Sequence, residues 1–392
     1  MRCQTLMMSH SLVIAGALAQ KPKIAGHTWV LLQYLLGFRR LGWKTVFVDC
    51  LEPALCVDGA GRNCALEGSV NLRYVLDVVR SFGLEDDYVL IGPGGESLIG
   101  MPRSRLLERV RDAAFLLNIM GFLRDEEILG YASKRIFLDI DPGFGQMWNE
   151  LGLHRPFAGH DAYVTIGLNI GRPDCSIPTC GLDWIVTPQP VVLEWWPRSD
   201  VPGESFTTIA SWRGAYGPVE YQGKSYGLRV HQFRRFVDLP KRTGRPFELA
   251  LAIHPSETRD LALLSDKVWS MVDPQIVAGD PLSYRSYIGR SLAEFSVAKD
   301  LYVQSRGGWI SDRSICYLAS GKPVLAQETG LSRHYPAGEG LLTYSTLEEA
   351  VAGVEEITRR PDRHARAARE LAEEYFDSDK VLGRLLQRLG VA

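Results

Sequence analysis

Short apolar runs alternate along the chain with longer segments whose apolar positions recur every three to four residues. That rhythm belongs to strands alternating with helices around parallel sheets. Residues 12–17 read as the first strand. A loop with Gly16, Lys21, Pro22 and Gly26 follows, then an apolar helix over 27–41 that carries Trp29, Leu32, Leu35, Leu36 and Leu41 on or near one face. Residues 45–49 read as the second strand. Beyond a loop at 59–68, the pattern predicts a helix over 70–82 and a strand at 88–91 ending in Gly92-Pro93-Gly94-Gly95. A long amphipathic helix over 103–123 comes next, then strands at 135–138 and 161–165.

Residues 188–202 break the alternation with four prolines and two tryptophans, Trp195 and Trp196, and read as a linker with packed aromatic anchors. Strands at 206–210, 247–253 and 275–278 resume the pattern. A helix over 281–298 has Pro281 in its first turn. A strand at 301–304, a helix over 311–320 and a strand at 324–327 complete the second half. The tail reads as helical. Ser345 and Glu348 are spaced as a capping box. Pro361 and Asp362 open a helix to about residue 376, and Val381, Leu382, Leu385, Leu386 and Leu389 repeat at helical spacing after Asp377. The expected fold class is α/β, with two tandem Rossmann-like parallel-sheet domains at 1–195 and 196–376.

Composition narrows the function more than the fold. The length of 392 residues suits about two or three domains. A net charge of −2 supplies no basic field for nucleic acid or an anionic membrane. The seven cysteines are odd in number and irregular in spacing. Cys175 and Cys180 lack the second pair or histidine set of a zinc site, so all seven read as free thiols in a reducing, cytoplasmic setting. Residues 11–20 imitate the apolar core of a signal peptide. However, Arg2 is the only early positive charge and Ser9-His10-Ser11 interrupts the run, so a buried first strand and its loop explain the same residues. No run of 18 apolar residues occurs, and no spanning helix is expected.

In open parallel sheets, ligands sit beyond the carboxyl ends of the strands. The polar residues there are the 16–27 loop, Asp49, Glu96, Asp139 and Asp141 in the first half. In the second half they are Ser211-Trp212-Arg213, His254, Asp280, the 305–313 segment, Glu328 and Thr329. Gly307 and Gly308 precede a predicted helix, where free N–H groups and the helix dipole favour an anion. The same glycines also suit a plain tight turn.

Gly26-His27, a helix with Leu35 and Leu36, and then Leu41-Gly42-Trp43-Lys44-Thr45-Val46 resemble the N-terminal turn and helix of GT-B glycosyltransferases. Gly308 to Ser314, Tyr317 to Val324, and Gln327-Glu328-Thr329-Gly330 resemble the donor-binding unit of that superfamily. Residues 377–392 resemble the tail helix that crosses back to the first domain. The resemblance implies metal-independent transfer of a sugar from a UDP- or dTDP-type donor to a hydroxyl or similar nucleophile of a small-molecule acceptor. It implies no cofactor beyond the nucleotide-sugar co-substrate. Gly307, Gly308, Trp309, Ser311, Asp312 and Arg313 would surround the donor pyrophosphate, with Arg213 as a further cation. Glu328 and Thr329 would take ribose or sugar hydroxyls. His27 would be the base, with Asp139 or Asp141 orienting it or acting in its place.

Plainer roles exist for the same residues. Arg313 suits a surface position or a pair with Asp312, and His27 suits a backbone bond at a helix start. Asp139 and Asp141 suit caps of the Pro142-Gly143 turn, and Glu328 suits a cap or salt bridge. Trp29, Trp148 and Phe144 suit an apolar acceptor site or the core. A His-Cys-Gly-x-Asn run and a Glu-x7-Glu motif are both missing, which keeps a non-catalytic GT-B-like auxiliary protein in view. An NAD-type oxidoreductase fits less well, because Gly16 and Gly26 are too far apart for the dinucleotide fingerprint and Gly92-x-Gly94-Gly95 is spaced wrongly. Asp139-x-Asp141 carries the letters of a metal motif but lies in the acceptor-side half, so no metal is expected. Hinges are expected at 188–204 and near 376, and a homodimer is left open.

Overall fold

The computed structural model describes residues 10–391 apart from 96, 200, 202 and 215. Arg2, Cys3, Ser9, Glu96 and Pro202, named from the sequence, lie outside the described residues. Two separate sheets form the framework. The first contains β1 (Ser11–Gly16), β2 (Lys44–Cys50), β3 (Tyr88–Ile91), β4 (Leu98–Gly100), β5 (Leu116–Ile119), β6 (Arg135–Asp139), β7 (Ala162–Thr165) and β8 (Trp184–Val186). Their order is β4-β3-β2-β1-β5-β6-β7-β8, parallel throughout except for β4, which runs antiparallel to β3.

The second half begins with β9 (Phe206–Ser211), and a small hairpin of β10 (Val219–Tyr221) and β11 (Lys224–Tyr226) follows it. The remaining strands are β12 (Phe247–Ala252), β13 (Ser270–Val272), β14 (Ala293–Ser296), β15 (Val324–Gln327) and β16 (Leu341–Tyr344). The second sheet has the order β13-β12-β9-β14-β15-β16 and is wholly parallel. Both sheets are doubly wound. Each has one seam where the winding reverses, between β1 and β5 in the first and between β9 and β14 in the second.

Four expected elements differ from the structure. The helix that opens at Arg103 stops at Asp112, and β5 occupies the centre of the first sheet. Leu116, Leu117 and Ile119 are fully buried there, so an apolar run with no polar face serves a strand covered on both sides better than a helix with one wet face. The helix from Pro281 ends at Gly289, and β14 takes part of its expected length. Residues 301–304 are therefore not a strand. They lie in the helix Asp300–Ser305, with Asp300 in its first turn. Residues 275–278 lie mostly in the short helix Pro274–Val277, capped by Asp273 and started by Pro274. The capping box is shifted by one residue, to Thr346 and Glu349.

The chain passes between the halves twice, and the two passages lie side by side. Val191 donates to the Phe376 carbonyl at 2.7 Å, and Ser378 donates to the Val191 carbonyl at 3.0 Å. The terminal helix Ser378–Leu389 then lies on the first-half helix Ala25–Arg40. Gly37 makes room for it, since a Cβ there would meet Leu382 at 2.6 Å. Arg40 also pairs with Asp379 at 3.0 Å. Loops from the carboxyl ends of both sheets meet between them: Asp141 follows β6 and bonds Lys299, which follows β14. Leu382 is fully buried in this seam. Leu382→Ala is expected to cost about 2–4 kcal/mol in urea unfolding, and a loss near zero would show that the tail helix is not part of the cooperative unit.

Candidate functional site

The site is built from loops at the carboxyl ends of the strands. On the first sheet, the chain after β1 turns tightly, and the buried Asp49 at the end of β2 holds it by accepting the Ala19 N–H at 2.5 Å. The Asn71 side chain donates to the Ala19 carbonyl at 2.7 Å. Burial raises the Asp49 carboxyl to about 7 against the opposing pull of these backbone donors. Lys21, at the far end of the loop, lies over the Phe122 ring at 5.1 Å. Burial lowers its pKa, Asp141 opposes that shift, and Lys299 adds to it.

His27 stands in the first turn of the following helix. One of its ring nitrogens, Nε2, lies 3.1 Å from the Ala17 carbonyl. A carbonyl only accepts, so Nε2 carries the proton and Nδ1 keeps its lone pair. Burial, and then the charge of Lys21, push the His27 pKa down to about 3. The ring is neutral at pH 7 but a weak base, because general bases work best with a pKa near the working pH.

Asp139 and Asp141 differ although they are two residues apart. Asp139 is buried and accepts bonds from Gln146 at 2.6 Å, Thr165 at 2.9 Å and the Asp141 N–H at 3.1 Å. Burial raises it to about 6. It is a loop clamp with its oxygens occupied, which corrects the expectation that it acts as a base. Asp141 instead reaches across to the other half, where both its oxygens contact Lys299 Nζ at 2.8 and 2.9 Å and the Tyr302 hydroxyl donates to it. Among the described residues, no set of three or more His, Cys, Asp or Glu side chains is arranged to hold a metal ion.

On the second sheet, the seam between β9 and β14 is bridged by a residue the sequence did not single out. Arg229 donates from Nε to the Val297 carbonyl at 3.1 Å and from Nη1 to the Ser211 carbonyl at 3.2 Å. These carbonyls lie at the ends of the two strands that flank the reversal. Among the described residues it makes no bond to a carboxylate. Burial, and then the charge of Arg313, lower its pKa to about 10, so it remains charged. Asp300 fixes the segment that carries it by accepting from Gly227 at 2.8 Å and Gln232 at 2.5 Å. Arg229, Lys299 and Lys21 all lie within the field of Asp141.

Several residues expected at the donor site are placed elsewhere. The Gly308 N–H is spent on the Thr329 carbonyl at 2.9 Å, and the Gly307 carbonyl accepts from Asn169 at 3.0 Å. The Asn169 side chain also donates to the carbonyls of Arg306 and Gly330 at 2.8 and 3.2 Å. A Cβ on Gly307 would lie 2.8 Å from Ile177, and one on Gly308 would lie 3.0 Å from Asn169, with φ +72° at Gly308. These glycines therefore let the two halves pack closely.

Trp309 stacks on Tyr302 with ring centroids 4.1 Å apart. The Ser311 hydroxyl accepts from the Arg313 N–H at 3.3 Å as a helix cap. Thr329 donates its hydroxyl to the Trp309 carbonyl at 2.5 Å. Arg313 is buried against Glu294 at 2.5 Å, the Ile209 carbonyl at 2.6 Å and Ser296 at 3.1 Å, so its charge is neutralised inside the domain. Arg213 is half exposed and forks onto Glu257. Glu328 is half-buried just after β15 and caps the following turn, with one oxygen accepting the Gly330 N–H at 2.5 Å.

Lys299 is legible in principle, as a polar residue closing an apolar run, but the expected strand at 301–304 starts eight residues after the start of β14. Arg229 carries no motif. Its position depends on the β10–β11 hairpin returning the chain to the sheet edge.

With this geometry in place, the comparisons with known proteins fall into line. Residues 243–387 match the family model described as glycosyl transferase-like. A 90-residue stretch is 32% identical to an uncharacterized protein of Saccharomyces cerevisiae, covering 21% of this chain and only 28% of that protein. An alpha-glucosyltransferase solved with UDP and a mismatched 13-mer DNA superposes with TM-score 0.59 at 11% identity, over 98% of this chain and 100% of that one. A pneumococcal O-GlcNAc transferase with UDP and GlcNAc superposes with TM-score 0.54 at 7% identity, over 98% and 99%. A glycosyltransferase of Rickettsia africae gives 0.53 at 10% identity, over 97% and 98%. The chain thus has the GT-B glycosyltransferase fold over nearly its whole length. The matched family and these neighbours are glycosyltransferases, which are enzymes.

Asp312, in the first turn of the helix Asp312–Ala319, is raised to about 7, chiefly by burial and then by Asp141. A carboxyl with a raised folded pKa binds its proton more tightly in the folded state, so its contribution to stability is lost as pH rises from the unfolded value through about 7. Asp312→Asn removes that loss. Relative to wild type, the variant is expected to gain about 2–3 kcal/mol of stability between pH 5 and pH 8. Parallel pH profiles in chemical denaturation would contradict this.

Proposed function

We propose that the protein transfers a sugar from a nucleotide diphosphate sugar to a hydroxyl or similar nucleophile of a small-molecule acceptor. One observation carries this reading: Arg229, a half-buried guanidinium bonded among the described residues to carbonyls and to no carboxylate, sits at the winding reversal of the second sheet with N–H groups left over. Asp141 and Glu294 offset its charge only through space, and neither bonds it directly. Lys299 and Lys21 lie within the same field, from opposite sides of the cleft. A diphosphate suits three cations, one of them a planar fork that donates two parallel bonds. As the bond from sugar to phosphate breaks, charge builds on the leaving phosphate, and fixed cations stabilise that charge most. Protein cations supply here what a divalent ion supplies in other transferases, so the reading needs no metal.

Glu328 follows β15 at the carboxyl ends of the same sheet, and among the described residues one of its oxygens is left without a hydrogen bond. It suits a ribose 2′-hydroxyl, which favours UDP over dTDP, and the neighbours solved with UDP support that order. His27 becomes a better base when a phosphate offsets the charge of Lys21, the second cause of its low pKa. A chain with net charge −2 suits a small acceptor better than the DNA seen with one neighbour.

The test is a thermal-shift panel of UDP, dTDP, GDP and NAD on wild type and Arg229→Met. Binding to the folded state raises the midpoint by mass action. UDP is expected to give the largest shift, and Arg229→Met to weaken UDP binding roughly tenfold or more. A shift with NAD and none with UDP would contradict the reading. Clear UDP binding without turnover of any sugar nucleotide would favour a non-catalytic auxiliary role.

A further inference from the structure

We propose that Asp141 is an internal counter-ion of the cation cluster, holding Lys299 until the phosphate of the donor takes its place. The inference rests on the assignment of the diphosphate to Arg229, Lys299 and Lys21. Asp141 belongs to the first half and Lys299 to the second, yet both carboxylate oxygens lie on the lysine Nζ at 2.8 and 2.9 Å. The Tyr302 hydroxyl, one helical turn beyond Lys299, donates to the same carboxylate. Both partners of the ion pair are mostly withdrawn from water, with side-chain exposures of 19% for Lys299 and 23% for Asp141. Such a pair is screened less than a surface one.

The contact is held in place. The Asp141 N–H donates to the buried Asp139 carboxyl at 3.1 Å, which Gln146 and Thr165 also bind. Lys299 is held from the other side, lying over the rings of Phe144 and Tyr302 at 5.2 Å each. The field of Asp141 reaches Lys21 and Arg229 as well, opposing the lowering of each pKa by burial.

A diphosphate seated on the same cations meets Asp141 as a like charge. Lys299 then serves one anion or the other, and the more highly charged phosphate prevails. Donor entry therefore breaks an ion pair and a hydroxyl bond that join the two halves. The donor binds more weakly than the cations alone would bind it, and a free carboxylate is left beside the seated donor. A carboxylate that instead bound the donor through its sugar hydroxyls would show the opposite effect on affinity when neutralised.

Calorimetric titration of the full chain with UDP and with inorganic pyrophosphate separates these cases. Asp141→Asn keeps the shape and removes the charge. It is expected to bind both ligands about fivefold tighter than wild type, and to melt lower without ligand because three cations lose their counter-ion. In the Lys299→Met background the same change is expected to bring a smaller gain, since only the like-charge repulsion of the donor by Asp141 remains to be removed. Tyr302→Phe removes one bond to Asp141 without altering charge, and is expected to shift affinity in the same direction by less. It keeps the test open if Asp141→Asn does not fold. Equal or weaker binding by both variants, with wild type binding UDP, would overturn the exchange alone. Failure of wild type to bind either ligand would overturn the diphosphate site and the exchange together.

Discussion

The constraint on which the rest of this structure depends is the seam between β9 and β14. Where the winding of a parallel sheet reverses, neighbouring strands send their chains to opposite faces and their last carbonyls splay apart. Arg229 spans the Ser211 and Val297 carbonyls and closes that gap. Polar backbone groups buried there need donors, and a guanidinium supplies several in one plane. It also brings a charge that its carbonyl partners reduce but do not cancel. The β10–β11 hairpin, the Asp300 clamp and the placement of Lys299 all keep that charge at the mouth of the cleft.

Arg313 lies close enough to Arg229 to lower its pKa, yet the surroundings of the two differ. Arg313 has a buried carboxylate in Glu294 and two further acceptors, so it is spent on holding the helix Asp312–Ala319 to the sheet. Arg229 has carbonyls alone. A buried ion pair that is complete adds little beyond fixing geometry, whereas an incomplete one draws in an anion. Burial by itself does not mark a binding residue. What does is the lack, among the described residues, of a carboxylate bonded to the guanidinium.

Much of the architecture was legible because it follows from periodicity. Strands such as Tyr88–Ile91 and Val324–Gln327 stand where the apolar runs put them, and the two tandem doubly wound halves follow from the alternation. The central strand β5 was not legible, because residues 113–119 continue the apolar face of the helix before them and no glycine or proline marks the change. The site was less legible still. Gly307 and Gly308 have the spacing of a phosphate loop, but what decides their role is Asn169, far away in sequence, which takes up the loop's backbone bonds. Asp139 and Asp141 share a spacing but not a fate: one carboxyl is turned into the core and the other across the cleft, and no local pattern encodes that difference.

The most direct test of this account is a crystal structure of the full chain with UDP bound. The diphosphate is expected at the carboxyl ends of β9 and β14, with the Arg229 guanidinium and Lys299 Nζ within hydrogen-bond distance of its oxygens and Asp141 no longer on Lys299. A diphosphate seated on the N–H groups of Gly307 and Gly308, with Arg229 untouched, would contradict it.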